Sequence, residues 1–320
     1  MRARIAMAAL ACAFVAGCGT SSPSPQAVTV APIDAMPGGV QEVTTLPPAA
    51  DADCDKEASL RPGPLPKPGA MPPGSTMAAI AERGRLVVGV DQSQYLFGFR
   101  DPATGQLEGF DIDVAREVAR GIFGDPNRID LRVVEAGERE SVLQSGQVDM
   151  VARTFSINCA RKNNVAFSTV YFYADQRLLV LKGSGIRTAA DLSGKRACAV
   201  AGTTSLAKLF ELNPRPTVFS AGTWTDCLVM LQQGQLDVIG TDGVVLAGLA
   251  AQDPNVEVVG PSLGVEPYGL GIKKENVDFV RFVNGVLEDI RADGTWEQLY
   301  QAQLQPLGPS PGPPPARYQD

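Results

Sequence analysis

The sequence of 320 residues contains no histidine, and this absence excludes several classes of function. A Ser-His-Asp triad and a Cys-His nucleophile pair both need an imidazole base, so neither can be present. Zinc sites with histidine ligands are excluded for the same reason. Positive charge is also scarce, because 28 Lys and Arg face 35 Asp and Glu and leave a formal net charge of −7. Broad electrostatic attraction to nucleic acid is therefore not expected.

Proline is scarce in the middle of the chain and abundant at its two ends. Of the 25 prolines, 12 lie in residues 19–75 and six in residues 306–320, which leaves seven for residues 76–305. Segments rich in Pro and Ser bury too little apolar surface to fold alone and favour extended conformations. We therefore predict a disordered tether at residues 18–75, a folded body at residues 76–305 and a disordered tail at residues 306–320.

The only long apolar run lies at the N-terminus. It spans residues 5–16 after two arginines, and as a helix it is about 18 Å long, too short for a hydrocarbon core of about 30 Å. A basic start and a short apolar run are typical of a secretory signal peptide, here residues 1–17. The end of the run, Val15-Ala16-Gly17-Cys18, resembles a bacterial lipobox, which implies cleavage before Cys18 and attachment of lipid, including palmitate, to that residue. An ordinary signal peptide followed by an unmodified cysteine is the alternative.

Residues 143–150 and 231–238 carry nearly the same pattern, Leu-Gln-Ser-Gly-Gln-Val-Asp-Met and Leu-Gln-Gln-Gly-Gln-Leu-Asp-Val. In each copy a helix is predicted to end at the glycine, and a short apolar strand follows. Residues 84–90 and 194–200 form a second, looser pair of apolar strands. Strands that alternate with helices predict parallel α/β sheets, and the repetition predicts two similar lobes.

An amphipathic helix is predicted to follow Gly109. Its apolar residues have the spacing of one helix face, at Ala115, Val118, Ala119, Ile122 and Phe123. Asp111 is predicted to be the N-cap of this helix, and Asp113 an acid that favours its first turn.

The cysteines predict two disulfides. Cys18 is expected to take lipid, so Cys54, Cys159, Cys198 and Cys227 remain in an exported chain, and four cysteines allow three pairings. Cys198 and Cys227 fall within one predicted lobe, which favours their pairing and leaves Cys54 to pair with Cys159. Free buried thiols are the alternative.

Three strand ends are followed by polar residues that suit a ligand. Ligands of open α/β sheets bind beyond the carboxyl ends of the strands. The three segments are residues 153–161, the turn Gly202-Thr203-Thr204-Ser205, and Thr241-Asp242-Gly243. The second opens a helix, whose free N–H groups suit an anion, and it lacks the lysine of a nucleotide phosphate loop. A cation, a hydroxyl cradle and an acid around one cleft suit a zwitterion.

Gly109-Phe110-Asp111-Ile112-Asp113-Val114-Ala115, residues 149–161 and Val165-Ala166-Phe167-Ser168 together resemble family 3, the polar amino-acid solute-binding proteins of ABC importers. The resemblance covers residues 76–305 and is nearest to the glutamate- and glutamine-binding lipoproteins of actinobacteria, of the mycobacterial type. It implies a two-lobed α/β fold of parallel or mixed sheets, joined by two crossing hinge strands near residues 174–179 and 259–266. Lobe 1 is then residues 76–176 and 264–305, and lobe 2 is residues 177–263.

The same resemblance implies which residues hold the ligand. It assigns the α-carboxylate to Arg161, with Thr203 and Thr204 as N–H and hydroxyl partners. It assigns the α-ammonium group to Asp242, the Ser156 hydroxyl and the Thr154 carbonyl. The chain has Thr154-Phe155-Ser156 where the family has Gly-x-Thr, a change that keeps the oxygen atoms.

The chemistry of the ligand's side chain is predicted from one arginine and from two positions at which this chain departs from the family pattern. Members that prefer acidic ligands carry an arginine at the position of Arg139, which would grip a carboxylate with two hydrogen bonds. The alternative is a solvated arginine paired with Glu135 or Glu138. Asp91 matches an acid that accepts from the carboxamide in glutamine binders, and Arg153 is atypical: it supplies a missing charge or points to solvent. We expect glutamate and aspartate first, then asparagine and glutamine.

Aromatic side chains are candidates to cover the ligand's aliphatic stem, with Phe97 and Trp224 foremost and Tyr95 beside them. For each of these residues, packing in the hydrophobic core is an equally good explanation. Closure of the two lobes over the ligand is the expected mechanism.

The resemblance implies a monomeric lipoprotein on the outer face of the cell membrane, without enzyme activity, cofactor, metal or nucleic-acid partner. It presents its amino acid to an ABC permease. The alternative is a sensor that signals through a membrane partner to a kinase that regulates glutamate metabolism.

Overall fold

The computed structural model describes residues 36–46 and 54–320. The predicted signal peptide and Cys18 lie outside these residues. The helices are α1 Thr76–Arg83, α2 Phe110–Phe123, α3 Arg139–Gln144, α4 Cys159–Asn164, α5 Thr204–Glu211, α6 Trp224–Gln232, α7 Gly243–Gln252, α8 Val277–Ala292 and α9 Thr295–Gln303, with short 3-10 turns at Ala136–Glu138, Ala189–Leu192 and Gln305–Leu307. Within the described ranges, no helix has the length and apolar character needed to cross a membrane.

The strands are β1 Gln41–Glu42, β2 Leu86–Val90, β3 Ser93–Gln94, β4 Gly98–Arg100, β5 Leu107–Glu108, β6 Ile129–Val133, β7 Met150–Val151, β8 Val165–Phe167, β9 Phe172–Leu181, β10 Arg196–Val200, β11 Thr217–Ala221, β12 Val238–Asp242, β13 Val256–Val259, β14 Val265–Tyr268 and β15 Gly271–Lys273.

Lobe 1 is built on a mixed five-stranded sheet of order β6-β2-β7-β15-β8. Strand β2 lies parallel to its neighbours β6 and β7, and β15 is antiparallel to β7 and β8. All five residues of β2 are buried. A continuous apolar run is the expected composition of a parallel strand covered on both faces.

Lobe 2 is built on a second mixed sheet, of order β1-β11-β10-β12-β9-β13. Strand β10 lies parallel to β11 and β12, while β9 is antiparallel to β12 and β13. Strand β9 joins the two lobes, because its first residues pair with β14 and its last residues pair with β12 and β13. The two-lobed α/β fold with mixed sheets is confirmed.

The repeated sequence pattern corresponds to a repeated structure. In lobe 1 the Asp149 carboxylate accepts from the Val87 amide at 2.8 Å, and the Asp149 amide donates to the Val87 carbonyl at 2.9 Å. In lobe 2 Asp237 makes the same two bonds with Arg196, at 2.8 and 2.9 Å. Each aspartate therefore ties the segment after its helix to the start of the neighbouring parallel strand.

The predicted cap of α2 is wrong. The N-cap is Gly109, and Asp111 lies inside the first turn. Gly109 has φ 124°, and a Cβ there would lie 2.3 Å from the Phe97 carbonyl oxygen, so this position needs glycine. Asp111 is buried and accepts hydrogen bonds from the Tyr171 hydroxyl at 2.6 Å and the Thr154 amide at 2.8 Å. Tertiary partners, rather than the helix end, therefore use its carboxylate.

The prediction of a disordered tether and tail is wrong for the described parts of both. Strand β1 pairs with β11 at the edge of lobe 2. Ser59 forms a β-bridge with Tyr318, which joins the segment after Cys54 to the C-terminal tail. The buried Asn284 of α8 donates to the Ser59 hydroxyl at 2.9 Å and the Leu60 carbonyl at 2.7 Å. Proline-rich chain cannot form its own hydrogen-bonded ladder, but here it lies against a surface that supplies the partners.

Both predicted disulfides are present. Cys54 is bonded to Cys159 across 105 residues, and Cys198 to Cys227 across 29 residues. The Cα–Cα distance is 5.8 Å in each, within the usual range for a disulfide. The second bridge joins β10 to α6 inside lobe 2. The first attaches the N-terminal segment to lobe 1.

Candidate ligand-binding site

A small cavity of about 10 Å³ lies between the two lobes. Its volume is that of about one water molecule. It is lined by Arg139, Arg153, Thr154, Ser156, Thr203, Thr204, Ser205, Trp224, Thr241, Asp242 and Val245. The lobes are therefore closed on each other in this structure, and an amino acid needs them to move apart before it can enter.

Arg161 lies on α4. The side chain of the N-cap residue Asn158 accepts a hydrogen bond from the Arg161 amide at 2.8 Å. Its guanidinium donates to the Ser156 carbonyl at 2.6 Å and, across the cleft, to the Gly202 carbonyl at 3.0 Å. Burial lowers the pKa of Arg161, although the nearby Glu140, 3.8 Å away, opposes that shift. Arg161, the residue predicted to bind the ligand's α-carboxylate, is thus a buried guanidinium at the lobe boundary.

Arg139 is the first residue of α3 and only 3% exposed, so the solvated alternative is wrong. It donates to the Ala136 carbonyl at 2.8 Å, the Arg153 carbonyl at 3.2 Å and the Gly202 carbonyl at 3.2 Å. Burial, with the charges of Arg161 and Arg153, lowers the pKa of Arg139 well below its usual range. Within the described residues, the hydrogen bonds of this guanidinium all go to carbonyl oxygens.

Phe155 separates the two guanidiniums and had no role in the sequence-based prediction. The guanidinium carbon of Arg139 lies 4.4 Å from the ring centroid, and that of Arg161 lies 4.9 Å from it. Cations over an aromatic face are attracted by its quadrupole, and more strongly when they are desolvated. The ring therefore helps to hold two like charges in one buried site.

Gly202 is the point at which the lobes meet. Its carbonyl accepts from both Arg139 and Arg161. Its φ is +72°, and a Cβ there would lie 2.5 Å from Gly137 Cα in lobe 1. Glycine at position 202 therefore permits both the left-handed turn and the close approach of the two backbones.

Asp91 and Arg153 form a buried ion pair, with Arg153 Nη2 2.8 Å from Asp91 Oδ2. The other Asp91 oxygen accepts from the amides of Gln92 and Ser93 at 2.7 and 2.9 Å. Arg153 thus neither points to solvent nor carries a free charge. Asp91 lies outside the cavity lining, and its carboxylate is used by Arg153 and by the amides of Gln92 and Ser93.

The turn before α5, predicted to be an anion cradle, is shaped by two threonine hydroxyls. The Thr203 hydroxyl caps the helix by accepting from the Leu206 amide at 3.2 Å, and it donates to the Val200 carbonyl at 2.7 Å. Thr204, the first helical residue, donates its hydroxyl to Glu266 at 2.9 Å and lies 3.4 Å from the Ser156 hydroxyl. Amides in the first turn of a helix have no partner in that helix and favour an anion.

Asp242 presents an unpaired acceptor to the cavity. Tyr268 donates to one of its oxygens, and the other, Oδ1, is buried without a hydrogen-bond partner in the described part of the chain. Burial raises the pKa of Asp242 to about 7, and the charge of Glu266 adds to the rise. A buried carboxylate oxygen with no partner suits a cationic group such as an α-ammonium.

Glu266 is a site residue that the sequence-based prediction missed. It lies on β14 and accepts from Gln176 at 2.7 Å and from Thr204 at 2.9 Å. It therefore connects both hinge strands with the start of α5. The available signal was an acid within a segment already predicted to be a crossing strand.

Thr154 adopts an unusual backbone conformation, with φ 38°. Its amide donates to Asp111, and its hydroxyl donates to Gln94 at 3.2 Å. Burial raises the pKa of Asp111 to about 7. Asp111 thus shapes the loop that carries the predicted Thr154 carbonyl and Ser156 hydroxyl.

The two foremost aromatic candidates lie in different places. Trp224 begins α6, is 4% exposed and lines the cavity. Phe97 is fully buried and packs edge-on against Phe110, Phe172 and Tyr268. Phe97 is therefore part of the aromatic core, and its predicted ligand contact is withdrawn.

Residues 86–305 match the bacterial extracellular solute-binding proteins, family 3. The chain belongs to this family. The ABC transporter glutamine-binding protein GlnH of Bacillus subtilis is 35% identical over 231 residues, which cover 72% of this chain and 85% of that protein. The glutamate-binding protein GluB of Corynebacterium glutamicum is 33% identical over 243 residues, with coverage of 72% and 82%.

Solved structures agree with this family. The crystal structure of the solute receptors for L-cysteine of Neisseria gonorrhoeae aligns with a TM-score of 0.71 at 27% identity, over 74% of this chain and 98% of that one. These relatives are solute-binding proteins rather than enzymes. Among the described residues, no group of three or more Cys, Asp or Glu side chains is placed to hold a metal.

Proposed function

We propose that this protein captures a polar amino acid outside the cytoplasm, with glutamate or aspartate preferred over asparagine or glutamine. The observation that carries the proposal is the pair of buried guanidiniums, Arg139 and Arg161, which meet at one cleft carbonyl. Two fixed cations in one cleft suit a ligand with two carboxylates. Its relatives include both a glutamine-binding and a glutamate-binding protein, so the choice between acid and amide rests on these side chains.

The charges around the cavity support an acidic side chain. Arg153 is paired with Asp91 at 2.8 Å, so their charges offset each other and the charge of Arg139 is the one left without an acidic partner in the described chain. Arg139 donates only to carbonyl oxygens within the described residues, and a hydrogen bond to a charged group contributes about 1.5–3 kcal/mol. A ligand carboxylate beside Arg139 therefore gains more than a carboxamide would.

The ligand's zwitterionic end is proposed to bind across the cleft. Arg161 and the free amides at the start of α5 take the α-carboxylate, and Asp242 and Ser156 take the α-ammonium group. Arg161 and Ser156 lie in lobe 1, while Thr204 and Asp242 lie in lobe 2. Only the closed form makes both sets of contacts, so the ligand stabilises closure.

We also propose that the mature chain is anchored by lipid on Cys18 and delivers its solute to an ABC permease. The lipobox-like Val15-Ala16-Gly17-Cys18 supports the anchor. The family of extracellular binding proteins, and a relative named for an ABC transporter, support the location and the partner.

A thermal-shift screen of the twenty amino acids tests the proposed ligand. Glutamate and aspartate should raise the unfolding temperature most, because a ligand at 100 times its Kd adds about 2.7 kcal/mol to the folded state. Asparagine and glutamine should give smaller shifts at equal concentration, and leucine and lysine none. A larger shift with glutamine than with glutamate would overturn the acidic preference. No shift with any amino acid would overturn the proposed function.

A further inference from the structure

Arg161 is carried by a very short helix. Helix α4 has six residues, among them Cys159, two positions before Arg161, and Lys162, directly after it. Helices much shorter than about 12 residues are marginal without tertiary support. The position of Arg161 therefore depends on what holds α4 from outside.

Part of this support comes from residues 54–60, which we call the N-terminal arm; Glu140 and Lys274 also bond α4, at Asn164 and Asn163. Cys54 is disulfide-bonded to Cys159, the first residue of α4. The Lys162 ammonium donates to two arm carbonyls, those of Asp55 and Ala58, each at 2.8 Å. One covalent bond and two hydrogen bonds thus connect the arm to α4 on either side of Arg161 in sequence.

The arm is itself anchored to lobe 1 beyond α4. The Ser59 hydroxyl donates to the Phe167 carbonyl of β8 at 2.7 Å, and the buried Asn284 donates to the Leu60 carbonyl. Glu57 accepts from the Tyr173 hydroxyl at 2.7 Å, and Tyr173 belongs to the hinge strand β9. The arm is therefore a fixed support that reaches from the core of lobe 1 to its hinge.

We propose that the N-terminal arm positions Arg161 for the ligand's α-carboxylate, through the Cys54–Cys159 disulfide and Lys162. This inference rests on the proposed amino-acid ligand. The arm lies outside the residues that match the family, which begin at residue 86. In this protein an N-terminal extension thus becomes part of the binding machinery.

The proposal predicts a particular pattern of affinities. Every amino acid presents the same α-carboxylate to Arg161, so a loosened α4 weakens all ligands by the same factor. Arg139 lies on α3 and is not held by the arm, so the ratio of glutamate to glutamine affinity should not change. A general loss of stability at the cleft would alter both the affinities and that ratio.

The experiment compares the intact protein with C54S/C159S by titration calorimetry, with L-glutamate and L-glutamine as the probes. The affinity for both should fall by about tenfold, equivalent to about 1.4 kcal/mol. Arg281→Ala is the matched control, because Arg281 donates to the Arg61 carbonyl and pairs with Asp320 at the far end of the arm, without touching α4. Its affinities should stay within about twofold of the intact protein.

Lys162 gives a second, milder test that leaves the disulfide in place. Lys162→Met should weaken both probes by a few fold, and Lys162→Arg, which keeps a donor, should restore most of the loss. Unchanged affinities in folded C54S/C159S, or in Lys162→Met if the former does not fold, would overturn the inference. An equal loss in Arg281→Ala would do the same. If the intact protein binds neither probe, the proposed ligand has failed rather than the role of the arm.

Discussion

The two walls of the cleft differ in charge and in how their polar groups are held. The lobe 1 wall carries three buried guanidiniums, those of Arg139, Arg153 and Arg161. They are held by carbonyls of their own lobe, by Asp91 and by the ring of Phe155. The lobe 2 wall carries the start of α5 and the acid Asp242, one of whose oxygens has no hydrogen-bond partner among the described residues.

The difference indicates a division of labour between the lobes. Guanidiniums locked by hydrogen bonds lose little freedom when a ligand arrives, so under the proposed function lobe 1 is the preorganised side for carboxylates. In the same proposal lobe 2 adds the ammonium acceptor and the helix amides only when the cleft closes. The Gly202 carbonyl is the one lobe 2 group to which both Arg139 and Arg161 donate within the described chain.

Removing the shared guanidinium should have the largest effect. Arg161→Ala should weaken every amino acid by at least about 100-fold, because two charge-assisted hydrogen bonds are lost at about 1.5–3 kcal/mol each. Arg161→Lys should be intermediate, since an ammonium keeps the charge but not the planar fork. Titration calorimetry with glutamate and glutamine measures both. A loss confined to one ligand would contradict the assignment of the α-carboxylate.

Arg139→Met should alter selectivity rather than abolish binding. Glutamate affinity is expected to fall by about tenfold while glutamine affinity changes little, because only the carboxylate loses a charged partner. Arg132→Met, at an exposed arginine paired with Asp130, is the matched control and should leave both affinities unchanged. Equal losses for the two ligands in Arg139→Met would place Arg139 with the shared end of the ligand instead.

The smallest expected effect is the change of ligand affinity with pH, which depends on Asp242 in lobe 2. Asp242 has a pKa raised to about 7, and it is faced by Glu266, Tyr268, Arg139 and Arg161. An ammonium group binds the ionised carboxylate, so binding should release a proton, and affinity should rise severalfold from pH 6 to pH 8. Calorimetry at pH 7 in phosphate and in Tris should give different heats, because the released proton is taken up by the buffer.

Two outcomes decide the origin of this pH dependence. Glu266→Gln removes a negative charge beside Asp242, so the rise in affinity should move to lower pH. Equal binding heats in the two buffers would show that Asp242 has the same protonation state in the empty and the bound protein. The cleft acid would then not be linked to proton release.

Local patterns were read correctly where a short segment determines its own structure. The repeated helix, glycine and strand predicted two lobes, and Asp149 and Asp237 make equivalent bonds in each. The disulfide pairing followed from which cysteines share a lobe. Arg139, Thr204 and Asp242 line one cavity because strand ends and helix starts of α/β lobes face the same edge. Arg161 lies outside that lining and reaches the lobe boundary through its hydrogen bond to the Gly202 carbonyl.

Contacts between side chains that are far apart in the sequence could not be predicted from local patterns. Asp111 has the position of a cap in the sequence, but the folded chain brings Tyr171 and Thr154 to its carboxylate. In the sequence, Asp91 and Arg153 could each have several roles. In the folded chain they form a buried ion pair with each other. The proline-rich ends gave no periodic signal, although their described residues pack on the body.

The sequence by itself determined the two-lobed α/β class and the residue types that line the cleft, because these depend on local pattern and composition. Only the tertiary structure decided which charges are paired, which guanidiniums meet at the Gly202 carbonyl, and what holds the helix of Arg161. Charges buried in a low dielectric are governed by the groups a few ångströms away. Folding alone brings those groups together from separate parts of the chain.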